Sequence, residues 1–267
     1  MRRPDQEDLL HRVGAALDAA STVLTTFDRQ RITEMKKSGG DPVTEADLVL
    51  DRSLRQELQR DGEGWLSEET ADDLSRLDYD LVWIVDPLDG TREFIDGLPE
   101  FCTSIAAVAD GVPLVGGVVN PAAGVKVIGG SGLGLTCNGV QVEPAGSPPL
   151  HDTTVLASRS EVNRGQWKVV EGAGITVVPM GSVAYKMARV AAGLDEATWT
   201  PVPKHEWDVA GGAALLRAIG GTTVGLDGRE IRFNRPSPWM SGAIAVPPGF
   251  EANLDDVIEL TERQNAG

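Results

Sequence analysis

Histidine, cysteine and aromatic residues are scarce in this chain. Its 267 residues include 3 His and 2 Cys, and aromatic residues make up 5%. Cys102 and Cys137 cannot build a disulfide scaffold and read as reduced thiols. His11, His151 and His205 are scattered with no partner at ligand spacing. That excludes a zinc site and leaves no Ser/His or Cys/His nucleophile pair. No run approaches the ~20 apolar residues of a membrane span, and the opening Met-Arg-Arg-Pro-Asp-Gln-Glu-Asp lacks the apolar core of a signal peptide. The expected location is cytoplasmic. Basic residues are also few. Lys plus Arg is 24 against 40 Asp plus Glu, a net charge of −16. Such a surface repels nucleic-acid polymers and anionic membranes, so neither is an expected partner. A small anion is not excluded, because one bound cation can reverse the field in a pocket.

What is present reads as a layered α/β protein. Residues 6–28 place Leu9, Val13, Leu17, Ala20, Leu24 and Phe27 on one helical face. Residues 36–42 break that pattern, and Thr44 with Asp47 forms a variant capping box opening a helix to about Gln59. Leu81-Val82-Trp83-Ile84-Val85 reads as a strand buried on both faces. Strands are expected near 103–109, 113–120 and 125–129, with an Asn138-Gly139 hairpin turn. The second half alternates: strands near 153–157, 175–179, 196–199 and 242–246, and helices near 182–192, 208–219 and 250–263. The glycine-rich 129–134 reads as a hairpin, not a dinucleotide cradle. Ala145-Gly146-Ser147-Pro148-Pro149 is the expected boundary between an N-terminal lobe (1–146) and a C-terminal lobe (147–267). The Trp residues fall at strand ends and form no stacking platform. Glu57, Asp61, Glu63, Asp72 and Asp73 read as solvated charges.

The acids sit in unusual places. Asp86 and Asp89 end an apolar strand, with Pro87 and Gly90 forcing a tight turn. Glu68 and Glu69 follow a short strand-like Trp65-Leu66. Asp208 follows Trp207 at the start of an Ala/Gly-rich helix. Each alone has a plain reading as turn former, solvated charge or helix cap. Together, in a chain so poor in His, they point to a hard cation with oxygen-only ligands, such as Mg²⁺, Mn²⁺ or Ca²⁺. Gly90 permits close backbone approach, and Thr91 starts a helix whose amides could face an anion. Carboxylates for metal beside amides for an anion are the parts of metal-assisted phosphate hydrolysis.

Four motifs carry a family resemblance. Asp86-Pro87-Leu88-Asp89-Gly90-Thr91, Trp207-Asp208-Val209-Ala210-Gly211, Pro42-Val43-Thr44-Glu45-Ala46-Asp47 and Ser67-Glu68-Glu69 occur in the order and spacing of the inositol monophosphatase superfamily. The chain resembles those Mg²⁺-dependent, lithium-sensitive phosphomonoesterases from about residue 8 to residue 247. The resemblance implies an α-β-α-β-α sandwich and a homodimer. The first lobe would hold most metal ligands; the second would supply Asp208 and substrate contacts. It implies Glu68, Asp86, Asp89 and Asp208 as side-chain metal ligands, with the Leu88 carbonyl, for roughly two or three Mg²⁺ ions. Mn²⁺ is an alternative, and Li⁺ and Ca²⁺ would inhibit. Asp47 and Thr91 would orient and deprotonate the attacking water, with Glu68 also part of the catalytic set. Glu69 would support, or act through water. The Gly90 and Thr91 amides would hold the phosphoryl group, with Lys37 close by.

The substrate would be a small phosphate ester. Thr91-Arg92-Glu93-Phe94-Ile95, Ser158-Arg159-Ser160, Gly181-Ser182 with Lys186, Glu206-Trp207-Asp208 and Phe233-Asn234 are similar to the adenosine 3',5'-bisphosphate (PAP) nucleotidase branch. That branch makes Ser182 and Glu206 candidate substrate contacts. Its Tyr-Pro-Arg run is replaced by Thr198-Trp199-Thr200-Pro201-Val202-Pro203, which removes an arginine. The glutamate that inositol phosphatases use for sugar hydroxyls is Pro201 here. PAP is the first expected substrate, with inositol 1-phosphate or another sugar or histidinol phosphate as the alternative. A non-catalytic metal- or ligand-binding regulator is the alternative of another class, and it predicts a lost ligand or water activator. Every expected position is filled.

Overall fold

In the computed structural model, helices alternate with two main sheets. The structure describes residues 4–27, 35–36, 42–144, 146 and 148–265. Helix α1 (Gln6–Thr26) is followed by the short antiparallel pair β1 (Met35–Lys36) and β2 (Pro42–Val43), then α2 (Glu45–Leu58). Strands β3 (Gly64–Ser67), β4 (Leu81–Asp89), β5 (Cys102–Ala109), β6 (Val112–Asn120), β7 (Val125–Gly130), β8 (Gly134–Cys137) and β9 (Val140–Gln141) form a seven-stranded sheet in chain order. Its β3–β4 pair is parallel and the other neighbours are antiparallel. The short helix α3 (Thr91–Ile95) joins β4 to β5.

A five-stranded sheet follows, in the order β11-β10-β12-β16-β14. Its strands are β10 (Thr154–Ser158), β11 (Thr176–Met180), β12 (Ala197–Thr200), β14 (Thr222–Val224) and β16 (Ala243–Val246). Helices α4 (Arg159–Asn163), α5 (Lys168–Gly172), α6 (Val183–Ala191), α7 (Glu206–Ala218) and α8 (Leu254–Asn265) complete the order. A separate two-stranded ribbon pairs β13 (Lys204–His205) with β15 (Trp239–Met240).

Side-chain alternation sets the layers. On β4, Leu81, Trp83 and Val85 pack with Leu9, Val13 and Leu17 of α1 and Leu50, Leu54 and Leu58 of α2. Val82 and Ile84 face the other way, into a core shared with α6 and α7 and with Ala243 and Ala245 of the second sheet. Beyond that sheet, Val155, Trp199 and Val246 pack on Trp167, Val170, Val257 and Leu260 of the α5–α8 side. The result is the α-β-α-β-α sandwich expected from sequence.

Adjacent glycines on β6 let helices sit close on both faces. A Cβ at Gly116 would lie 2.6 Å from the Ala214 Cβ on α7, and one at Gly117 would lie 2.6 Å from Leu17 Cδ1 on α1. Both separations are too short for real side chains, so the pair sets the layer spacing.

The helix starts follow their caps. Asp5 accepts from Glu7 and Asp8 N–H at α1. At α2 the capping box forms as expected: Thr44 accepts from Ala46 N–H, and Asp47 accepts from Thr44 N–H at 2.7 Å.

Two of the acids expected to be solvated are structural. Glu63 accepts from Arg12 at 2.9 Å and from Trp83 Nε1 at 2.8 Å, and Arg12 also donates to the Leu58 carbonyl at the end of α2. Asp72 pairs with buried Arg76 at 2.8 Å. Burial alone would raise the Glu63 pKa. Hydrogen bonds from Arg12 and Trp83 outweigh it and hold the carboxyl below its ordinary 4.5. A depressed pKa contributes stability that is present above the unfolded value and lost as pH falls through the folded one. We expect Glu63→Gln to cost about 1–3 kcal/mol at pH 7, because it leaves buried Arg12 with only the more exposed Asp8, at 3.4 Å, as its counter-charge. The gap to the parent protein should narrow below pH ~4, as urea titrations across pH will show.

Candidate active site

The end of β4 is bulged, and the bulge aims its acids. Asp86 pairs with Ser104 and Asp89 with Cys102, with the register shifting between them. On a regular strand, residues three apart point to opposite faces; the extra residue re-aims one of them. The bulge is pinned from both sides. Thr103 donates to the Pro87 carbonyl at 2.8 Å, and Leu88 N–H donates to Asp86 Oδ1 at 3.0 Å. The chain then turns through Gly90 at φ 97°, a left-handed conformation that glycine adopts without strain. A Cβ there would lie 2.8 Å from the Glu100 carbonyl oxygen.

Thr91 opens α3, and its hydroxyl lies 3.0 Å from Asp47 Oδ1 and 3.1 Å from the Leu88 carbonyl. One hydroxyl proton serves one acceptor at a time. Asp47 is fixed through its other oxygen by the capping box of α2. One helical turn on, Asp51 accepts from Ser67 at 2.5 Å and from Thr70 at 2.8 Å. It thereby anchors the segment carrying Glu68 and Glu69. The parallel β3–β4 register sets Ser67 beside Val85, so Glu68 follows next to Asp86. Sequence reasoning missed Asp51; its position four residues after Asp47, on the same helical face, was the available signal.

Asp89 and Asp208 come from opposite sides. Asp89 Oδ2 accepts from Ser182 Oγ and from Ala184 N–H, both at 2.7 Å. Ser182 is also the N-cap of α6, accepting from Tyr185 N–H at 3.0 Å. Asp208 lies in the first turn of α7, which starts at Glu206, two residues earlier than expected, and it accepts from His205 N–H at 2.9 Å. Burial raises the Asp208 pKa to about 8, with the negative charges of Asp89 and Glu68 adding to it. Burial likewise raises Asp89, against the Ser182 and Ala184 hydrogen bonds and the positive charges of Lys186 and Lys204. These carboxylates are therefore close enough to repel one another, and a hard cation would relieve the repulsion. Among the described residues, no three His, Cys, Asp or Glu side chains already converge as a ligand cage.

Three expectations meet a different placement. Ser182 stands behind Asp89, where it orients a carboxylate. Glu206 is fully buried. It accepts from Asn234 N–H at 2.6 Å, from Arg235 N–H at 3.1 Å and from Arg235 Nε at 3.0 Å, so its carboxylate braces a loop and has no surface to offer a substrate. The tryptophans do not all stand apart. His205 stacks on Trp207 at 4.3 Å and packs against Trp239 at 3.8 Å, a cluster hidden in sequence because β13 and β15 are two-residue strands. Lys37 lies outside the described residues.

Lys186 is fully buried, and burial lowers its pKa to about 8 against the attraction of Glu161, Asp89 and Glu93. Lys204 reaches Glu161 at 4.0 Å. Glu100 accepts from Arg159 at 2.5 Å and from Gly181 N–H at 2.7 Å, tying α4 to the start of α6.

Comparison with known proteins places this arrangement. The model of the inositol monophosphatase family matches residues 5–265. The chain is 29% identical over 259 residues to the inositol-1-monophosphatase ImpA of Mycolicibacterium smegmatis, covering 92% of this chain and 90% of that protein. It is 34% identical over 202 residues to the 3'-phosphoadenosine 5'-phosphate phosphatase of Mycobacterium bovis, covering 73% and 72%. The crystal structure of extragenic suppressor protein suhB from Bartonella henselae superposes with a TM-score of 0.82 at 24% identity, covering 94% of this chain and 98% of that one. The fold is thus that of a phosphoric monoester hydrolase. The chain belongs to the inositol monophosphatase family.

Gly90→Ala tests the turn. It forces a Cβ into a left-handed position against the Glu100 carbonyl, and should cost about 1–3 kcal/mol of stability. Phosphatase activity should fall further than thermal melting accounts for, because Thr91 shifts with the turn. Melting curves and phosphate release on the same preparation separate the two effects.

Proposed function

We propose that the chain hydrolyses a small phosphate monoester with Mg²⁺ as cofactor, and that PAP is the preferred substrate. The observation that carries the chemistry is the Thr91 hydroxyl held 3.0 Å from Asp47, with Asp89 and Glu68 close enough to Asp208 to act on its charge. Oxygen-only donors in that crowd suit a hard cation. Glu68, Asp86, Asp89, Asp208 and the Leu88 carbonyl would hold it. Mg²⁺ bound there would supply a Lewis acid that activates water and screens phosphoryl charge.

The remaining work falls to the chain. Thr91 Oγ accepts a hydrogen bond from the attacking water while its own proton points to Asp47; as the water attacks, its proton passes to Thr91 Oγ and the Thr91 proton passes to the Asp47 carboxylate, which becomes neutral. Water forms the new P–O bond in line as the ester P–O bond breaks, with no covalent enzyme intermediate. The amides of Gly90 and Thr91, at the start of α3, lack intrahelical partners and can donate to the phosphoryl oxygens. Asp51 and Ser182 are positioning residues for Glu68 and Asp89.

The preference for PAP is supported by cations in an otherwise acidic protein. Lys186 and Lys204 both act on Asp89, and Lys204 also on Asp208. They act through the field and not by contact, since Lys186 is buried and Lys204 pairs with Glu161, and a positive field near the acids suits a doubly phosphorylated substrate. Inositol 1-phosphate is the second reading, favoured by the wider coverage of the inositol-1-monophosphatase relative. The homodimer and lithium inhibition belong to the same proposal.

Two measurements test it. Asp86→Asn should keep its fold by circular dichroism and lose about 100-fold or more of its Mg²⁺-dependent phosphate release; full activity would falsify the assignment. Phosphate release from PAP, inositol 1-phosphate, fructose 1,6-bisphosphate and histidinol phosphate, with and without Li⁺, ranks the substrates. A lithium-sensitive preference for PAP is expected. A preference for inositol 1-phosphate keeps the mechanism and overturns the substrate.

A further inference from the structure

An exposed tryptophan opens β15 near the candidate site, directly after a loop that buried charged groups hold. Trp239 is 55% exposed, among the most open large apolar side chains of the described residues. Its ring packs on His205 at 3.8 Å, and His205 stacks on Trp207 at 4.3 Å and 12°. The backbone of the same His205 donates to Asp208 at 2.9 Å. The aromatic cluster is therefore joined directly to one of the candidate metal ligands. Lys204, the neighbouring residue on β13, acts electrostatically on both Asp89 and Asp208.

The loop that runs into Trp239 is clamped by two buried charged groups. Glu206 takes the N–H groups of Asn234 and Arg235, and donates its own backbone N–H to the Pro238 carbonyl at 2.8 Å. Arg76 donates to Asn234 Oδ1 at 2.6 Å and to the Arg235 carbonyl at 2.8 Å. Arg235, held by Glu206, donates to the Trp239 carbonyl at 2.6 Å. Burying a carboxylate and a guanidinium costs free energy that a packed apolar loop would not. Here that cost fixes a ring whose outer surface meets solvent.

We propose that Trp239 is a stacking platform for a planar aromatic group of the substrate. On the nucleotidase reading, on which this inference rests, that group is the nucleobase. An aromatic surface accepts a base through its π-face, and a ring fixed before binding loses little freedom when the base arrives. A phosphate ester without an aromatic ring gains no π-stacking from it. Trp239 is a specificity-determining residue and takes no part in the bond changes.

The test compares Trp239→Ala and Trp239→Phe with the parent enzyme. With PAP and saturating Mg²⁺, Trp239→Ala should raise KM about 10-fold or more, with kcat moving less than about 3-fold, while Trp239→Phe restores most of the affinity. Independently of turnover, AMP should quench the intrinsic fluorescence of the parent protein, and Trp239→Phe should lose that part of the quench. An unchanged KM in Trp239→Ala, with PAP hydrolysed normally by the parent, overturns the platform and leaves the nucleotidase reading standing. If the parent ignores PAP, that reading fails, and the AMP titration alone decides: no quench that depends on Trp239 overturns the platform as well. A change of oligomeric state in Trp239→Ala by light scattering, with KM unchanged, assigns the ring to a contact between copies and also overturns it.

Discussion

Repulsion among carboxylates is the constraint around which this structure is arranged. Asp86, Asp89, Glu68 and Asp208 come from a bulged strand, a strand end and a helix start. Burial and their own charges push the protonation of Asp208 up to about 8. Such a cluster opposes folding unless each member is held individually. Asp89 has the Ser182 hydroxyl and the Ala184 amide. Asp86 has the Leu88 amide, and Asp208 the His205 amide. The Ser182, Ala184 and His205 donors come from helix starts, where backbone N–H groups lack helical partners, and the Leu88 amide comes from the bulge of β4, where the ladder register shifts.

The layered core serves the same end through small residues. Gly211 on α7 lies against β5, where a Cβ would come within 3.2 Å of the Ile105 carbonyl, and Ser104 of that strand pairs with Asp86. A larger residue at 211 would lift α7 off the sheet and carry Asp208 away from Asp86 and Asp89. Gly116 does the same on the facing strand, under Ala214. The Ala/Gly-rich composition of α7 is thus a distance requirement of the site as much as a packing preference.

Much of this was legible in the sequence because it is local. The capping box at Thr44 and Asp47, the apolar run into Asp86, and the Gly90 turn each lie within a few residues, where spacing and conformation constrain one another. What sequence reasoning misplaced is non-local. Glu63 and Asp72 read as solvated because nothing near them announces Arg12, 51 residues away in the chain, or the deep burial of Arg76. Ser182 and Glu206 lie close to candidate site positions yet face inward. One residue along a helix turns a side chain by roughly 100°, so a neighbour of Asp208 need not share its surroundings. The aromatic cluster was invisible for a related reason: the pairing of Lys204–His205 with Trp239–Met240 is too short to leave a periodic pattern.

Glu206 shows how a charged residue beside a site can matter without touching a ligand. Its pKa is raised by burial, against hydrogen bonds from the Arg235 and Asn234 amides and the Arg235 guanidinium. Replacing it with an apolar residue would leave two loop amides and the Arg235 guanidinium without their acceptor, a larger loss than one hydrogen bond. The loop it holds would gain freedom where it runs into β15, at Trp239. An apolar staple could bury the same loop, but it would not fix two successive amides in direction. A fan of hydrogen bonds to one carboxylate does, because each donor must point at the same group. Directional bonding of this kind transmits the position of α7, and with it of Asp208, to the surface ring. Asp208 and the surface ring are thus both referred to one helix start.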